Sequence, residues 1–145
     1  MKRIRVLFTC IHNSARSQMA EEYLRKISDG RIDVVSAGLE PGSLNPDVVH
    51  VLAEDGIDIS SKQTQSVFAL SEAGESFDYV VAVCDKKAAE RCPVFPAEKK
   101  RLHWPFEDPS SVGGDPQERL NRIRSIRDSI RDKVLQFYQS ELMGS

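Results

Sequence analysis

Ile4-Arg5-Val6-Leu7-Phe8-Thr9, followed by Cys10-Ile11-His12-Asn13-Ser14-Ala15-Arg16-Ser17, is the stretch that decides the fold. The first run is β-rich and continuously apolar at its centre, the mark of a strand buried on both faces. Beyond Ser17, Met19, Ala20, Tyr23, Leu24 and Ile27 recur at spacings of 3 and 4, the pattern of a helix with one apolar face. Gly30 ends that helix. The residues from Cys10 to Ser17 therefore form a loop between a strand end and a helix start.

Working outward, the same alternation repeats. Ile32–Ala37 reads as a second strand, closed by Gly38, and a Pro41-Gly42 turn follows. Asn45 and Pro46 read as N-cap and first-turn proline of a helix running to Glu54. Phe77–Val83 is a third strand that ends at Cys84, and Arg101–Trp104 is a short fourth. A long helix starts near Pro116, with Leu120, Ile123, Ile126, Ile130, Val134 and Phe137 as its stripe. Its arginines (Arg119, Arg122, Arg127, Arg131) read as a solvated face, with Glu118 and Arg122 at i,i+4 spacing. Strands alternating with helices imply an α/β fold with a parallel sheet and right-handed crossovers. No repeat, low-complexity tract or linker divides the chain, so residues 1–145 read as one domain.

Composition agrees and excludes several classes. The 145 residues carry 20 basic and 22 acidic side chains, a net charge of −2, so bulk charge does not point to nucleic acid. No apolar run approaches the roughly 18 residues of a membrane span, and the first residues lead into a strand rather than a signal peptide. Three cysteines cannot all pair, which argues against a disulfide scaffold and for the reducing cytoplasm. The expected state is a monomer.

In parallel sheets ligands bind beyond the carboxyl ends of the strands. Cys10 and Cys84 both follow strands and so share that edge. The loop Cys10–Ser17 sets a thiol six residues before a guanidinium. It can curl so that backbone N–H groups converge as a nest for a tetrahedral anion, and the helix N-terminus adds orphan donors there. Arg16 can grip two anion oxygens with its planar fork. The same donors favour a thiolate on Cys10, and Ser17 is placed to donate to the sulfur. The plain alternative is a buried cysteine with a surface arginine nearby. Zinc is disfavoured: His12 and His103 could accompany the thiols, yet no Cys-x2-Cys or His-x3-His spacing exists. Asp108-Pro109 lies in a loop rich in Pro, Ser and Gly, where a mobile carboxyl can fold over the anion as general acid; a plain Asp-Pro turn is the competing reading.

The segment Cys84-Asp85-Lys86-Lys87-Ala88-Ala89-Glu90-Arg91-Cys92-Pro93 holds the other two thiols. Asp85 is a plausible N-cap and Lys86–Arg91 are good helix formers. An intact helix would set the two Cα atoms about 12 Å apart, too far for a disulfide, which needs them within about 7 Å. Two inert packed thiols are the bland reading.

Val6 to Glu21 resembles the signature of the low-molecular-weight protein tyrosine phosphatase superfamily. The stretch Asn13-Ser14-Ala15-Arg16-Ser17-Gln18-Met19-Ala20-Glu21 is most similar to its thioredoxin-coupled arsenate reductase branch. Ser36-Ala37-Gly38, Asn45-Pro46, Gly56–Ser60 and His103-Trp104…Asp108-Pro109 also match, so the resemblance covers most of the chain. It implies a four-stranded parallel sheet flanked by helices on both faces. It implies that residues 11–17 (Ile11, His12, Asn13, Ser14, Ala15, Arg16 and Ser17) bind the oxyanion. By the family's mechanism Cys10 attacks arsenate while Asp108 protonates the leaving hydroxide. Cys84 then attacks Cys10 and arsenite departs, Cys92 attacks Cys84, and thioredoxin reduces the Cys84–Cys92 disulfide. No tightly bound cofactor is implied. Some members hold potassium near the loop; Asn13, Glu21 and Ser36 match that site, but Gln65 stands where an aspartate is expected. The phosphatases carry an aromatic platform after Asp-Pro, and here Ser110 and Ser111 follow. A phosphatase using Cys10, Arg16 and Asp108 is the alternative enzyme, and an oxyanion-binding sensor the alternative outside catalysis.

Overall fold

The computed structural model describes residues 3–96 and 98–143. Strand β1 (Arg5–Cys10) leads through α1 (Arg16–Ile27) to β2 (Asp33–Gly38). Helices α2 (Pro46–Glu54) and α3 (Val67–Glu72) precede β3 (Tyr79–Ala82). Helix α4 (Lys86–Glu90), β4 (Lys100–His103), a single 3-10 turn (Pro109–Ser111) and α5 (Pro116–Phe137) complete the order, and a wider helical turn spans Tyr138–Leu142. The four strands run parallel in the order β2-β1-β3-β4. β1 and β3 are therefore central, which is why their apolar runs are continuous.

Helix starts follow local chemistry. Asn45 accepts from the backbone N–H of Asp47 and Val48, with Pro46 as first helical residue. Asp85 caps α4 by accepting from Ala88 N at 2.9 Å, and Asp115 caps α5 through Gln117 N and Glu118 N. The sequence reading missed α3, whose cap Ser66 accepts from Phe68 N and Ala69 N. At six residues it is too short for periodicity to reveal.

Side chains alternate across the sheet, and the two faces have different covers. Phe8 and Tyr79 meet α5 through an aromatic set in which Trp104 stacks edge-on to Phe137 at 5.2 Å. On the opposite face α4 packs against β1, and a cavity between α4 and the sheet is lined by Val80, Ala82, Ala89, Cys92 and Arg101. Val6, Leu7, Phe8, Met19 and Leu24 are wholly enclosed. Truncating one of the large ones to alanine costs about 2–5 kcal/mol.

On α5, Arg122 and Arg131 keep the solvent-facing position their pattern suggests, whereas Arg127 and Arg119 dock against α2. Arg127 is 8% exposed and donates to Val51 O at 2.9 Å and to Glu54 at 2.8 Å. Arg119 pairs with Asp47, and Arg122 takes Glu107 instead of Glu118. These carboxylates come from α2 and the β4–α5 loop, so α5 is fastened by charge as well as by its stripe.

Candidate active site

Gly38 shapes the site before any reactive group does. A Cβ there would lie 2.7 Å from Asn13 N and 2.8 Å from Ile11 O, so only glycine lets the loop after β1 cross the end of β2. Asn13 takes the left-handed conformation (φ 55°), which asparagine tolerates better than most residues. The carbonyls of the loop are bound from outside: Cys10 O by Leu39 N, Ile11 O by Glu40 N, His12 O by Gly42 N, Asn13 O by Gln18 Nε2 and Ser14 O by Asn45 N. In a trans peptide N–H and C=O point opposite ways, so outward carbonyls turn the following N–H groups inward. This is the arrangement that a nest for an anion requires, and Asn13 N already points inward to Cys10 Sγ. Ala15, the N-cap of α1, has no side chain able to cap, so the first amides of the helix keep their donors for a ligand.

Cys10 is 3% exposed. Its Sγ accepts from Asn13 N at 3.1 Å and lies 2.9 Å from Ser17 Oγ. Asn13 Nδ2 donates to Ser17 Oγ at 2.7 Å, which leaves the serine proton to point at sulfur. Arg16 is 6% exposed; its Nη1 donates to Phe106 O at 3.0 Å and its Nη2 stands 3.8 Å from Asp108 Oδ2. The sequence therefore brings Cys10, Arg16, Ser17 and Asp108 to one place. In this structure three contacts hold the Asp108 loop over the site. Arg16 holds it at Phe106, Arg122 at Glu107, and Asn45 Nδ2 at Ser110 Oγ. Asp108 itself caps the following 3-10 turn through Ser110 N.

Cys84 is 1% exposed, and burial pushes its thiol up to about 11, against the pull of the Arg16 guanidinium; the neighbouring Cys10 sulfur adds to the rise. Cys84 thus shares an electrostatic environment with the Cys10–Ser17 loop. Burial also raises the Cys92 thiol, opposed by the Arg101 guanidinium. All three cysteines are unpaired. Both imidazoles considered as metal partners instead meet backbone carbonyls, His12 that of Glu40 and His103 that of Cys84.

Asn13, Glu21 and Ser36 do come together, but not as a potassium site. Ser36 Oγ donates to Glu21 Oε1 at 2.5 Å and receives Asn13 Nδ2 at 3.0 Å. The other oxygen of Glu21 is held by Lys62 Nζ at 2.8 Å and by Arg25 at 2.5 Å. Asn13 Oδ1 is taken by Gln65 N and Gln18 Nε2. Two cations of the chain already neutralise the one carboxylate, so these residues do not fit a further cation. Sequence reasoning missed Lys62, because a partner 41 residues from Glu21 leaves no local pattern.

The family model for low molecular weight phosphotyrosine protein phosphatase matches residues 5–142. An arsenate reductase of Halalkalibacterium halodurans is 37% identical over 135 residues, covering 93% of this chain and 95% of that protein. A solved arsenate reductase in its oxidized state superposes with a TM-score of 0.75 at 27% identity, covering 91% of this chain and 94% of the other. The thioredoxin-dependent arsenate reductase of Corynebacterium glutamicum gives 0.73 at 28% identity, covering 94% of this chain and 61% of the other.

Proposed function

The chain belongs to the low molecular weight phosphotyrosine protein phosphatase family, and within it we propose an arsenate reductase that draws its electrons from thioredoxin. The observation that carries this reading is the buried Cys84 thiol, which follows β3 at the same sheet edge where the paired strand β1 ends in Cys10. Ester hydrolysis needs only the cradle and an acid; it gives Cys84 and Cys92 no task.

In this reading the nest and Arg16 bind arsenate, and Cys10 attacks arsenic as a thiolate stabilised by Asn13 N and Ser17. An S–As bond forms, and Asp108 supplies the proton with which hydroxide leaves as water. Cys84 attacks the Cys10 sulfur. The S–As electron pair stays on arsenic, which leaves as arsenite, two electrons reduced, while the two sulfurs become a disulfide. Cys92 then attacks Cys84 and Cys10 departs as thiolate, ready for another cycle. Thioredoxin, a dithiol, takes up the Cys84–Cys92 disulfide by exchange. Ser110 and Ser111 offer no platform for an aryl ester, consistent with a small free oxyanion as substrate.

The test is arsenite production from arsenate with thioredoxin, its reductase and NADPH, run beside aryl-phosphate hydrolysis. The reading expects sustained arsenite production that depends on all three cysteines. Rapid phosphate release without arsenite would replace it with the phosphatase.

A further inference from the structure

The segment that carries Cys84 and Cys92 is held at both ends from β4. Arg101 and His103 stand two residues apart on that edge strand and project from one face, beside their register partners Val80 and Ala82. His103 Nε2 lies 2.6 Å from Cys84 O; a carbonyl only accepts, so this nitrogen carries the proton. Arg101 Nη2 donates to Pro93 O at 2.6 Å, and Nη1 reaches Cys92 O at 3.5 Å. Glu98 fixes the guanidinium from behind, at 3.0 Å to Nε and 2.8 Å to Nη2, and also receives Phe95 N at 2.6 Å. One tether therefore grips the chain where α4 begins, the other where it has ended.

We propose that Arg101 and His103 are positioning residues for the exchange between Cys84 and Cys92, anchoring the two ends of the segment while α4 between them unwinds. A disulfide requires Cα atoms roughly 4.4–6.8 Å apart, so the segment between the two grips must shorten while its ends stay attached to one strand. Without them, unwinding α4 frees a segment that must find this geometry by diffusion, at a cost in backbone entropy. The inference rests on the relay reading of the two thiols. In that step the Cys92 thiolate forms a bond to the Cys84 sulfur, the Cys10–Cys84 bond breaks, and Cys10 leaves with the electron pair.

The test is a single turnover of the reduced full chain with arsenate, quenched in acid, with disulfides mapped by mass spectrometry and arsenite counted. Arg101→Ala and His103→Ala should release the first arsenite as the unaltered chain does but accumulate the Cys10–Cys84 disulfide, its conversion slowed about tenfold or more. His103→Gln, which keeps an N–H donor, should restore conversion, and Arg101→Lys should restore it in part. Both side chains are exposed at the sheet edge, so folding tolerates the changes. Conversion at the unaltered rate in both alanine variants overturns the tether, as does a loss that the conservative variants share equally. If the unaltered chain forms no Cys84–Cys92 disulfide at all, the relay itself fails, and the tether with it.

Discussion

Ser17 Oγ stands 2.9 Å from Cys10 Sγ while accepting Asn13 Nδ2 at 2.7 Å, so its own proton is directed to the sulfur. The contact continues through Asn13 to Ser36 and Glu21, where Lys62 and Arg25 supply positive charge. The Cys10 thiol is thus oriented by a buried polar chain in which each member fixes the next.

Removing the hydroxyl should slow thiolate attack without touching the later exchanges. A hydrogen bond to a charged group contributes about 1.5–3 kcal/mol, so Ser17→Ala should lower the single-turnover rate of adduct formation roughly 10- to 100-fold. An unchanged rate would assign the sulfur's stabilisation to backbone donors alone.

Asp108 lies 3.8 Å from Arg16 in a loop pinned at three points, so its carboxyl is held in place. Asp108→Asn should slow the first chemical step by roughly 10²–10⁴, the usual worth of a positioned acid, and leave disulfide exchange intact. Stopped-flow measurement of the first step decides whether Asp108 is an acid or only the cap of its turn.

Cys84 also links stability to pH. Its thiol moves from 9.0 to about 11 on folding, so the folded chain holds this proton more tightly than the unfolded chain. The corresponding stability is complete below about pH 9 and is lost as pH rises toward 11, on the order of 2–3 kcal/mol. Urea denaturation of the reduced protein at about pH 8 and about pH 10.5 should show a steeper loss than in Cys84→Ala. Equal slopes would show that burial does not hold the thiol neutral.

How much of this was legible in the sequence depends on the range of the interaction. Asn45-Pro46 and Asp85 announced their helices because a cap acts on amides two or three residues away. Cys10, Ser17 and Arg16 were legible as a set because one loop carries them. Three features were not. Helix α3 shows too little of a period, Lys62 reaches Glu21 across the fold, and Arg127 is buried against α2 although its neighbours read as solvent-facing. Pairings of that kind are decided by packing, after local propensity has done its part.

Helix α4 is intact in the reduced chain, with Asp85 capping Ala88 N. The relay reading expects it to unwind when Cys84 and Cys92 are bridged. Amide exchange across Asp85–Arg91 should therefore quicken on oxidation, while β1 and β3 stay protected. Identical exchange in both redox states would mean that the segment does not rearrange.

The relay is tested most directly in Cys92→Ser. Treated with arsenate and quenched in acid, this variant should release about one arsenite per chain and stop with Cys10 joined to Cys84, because no thiol remains to displace Cys10. Continued turnover, or three-residue mapping that finds Cys10 and Cys84 still reduced after arsenite has formed, would contradict the account.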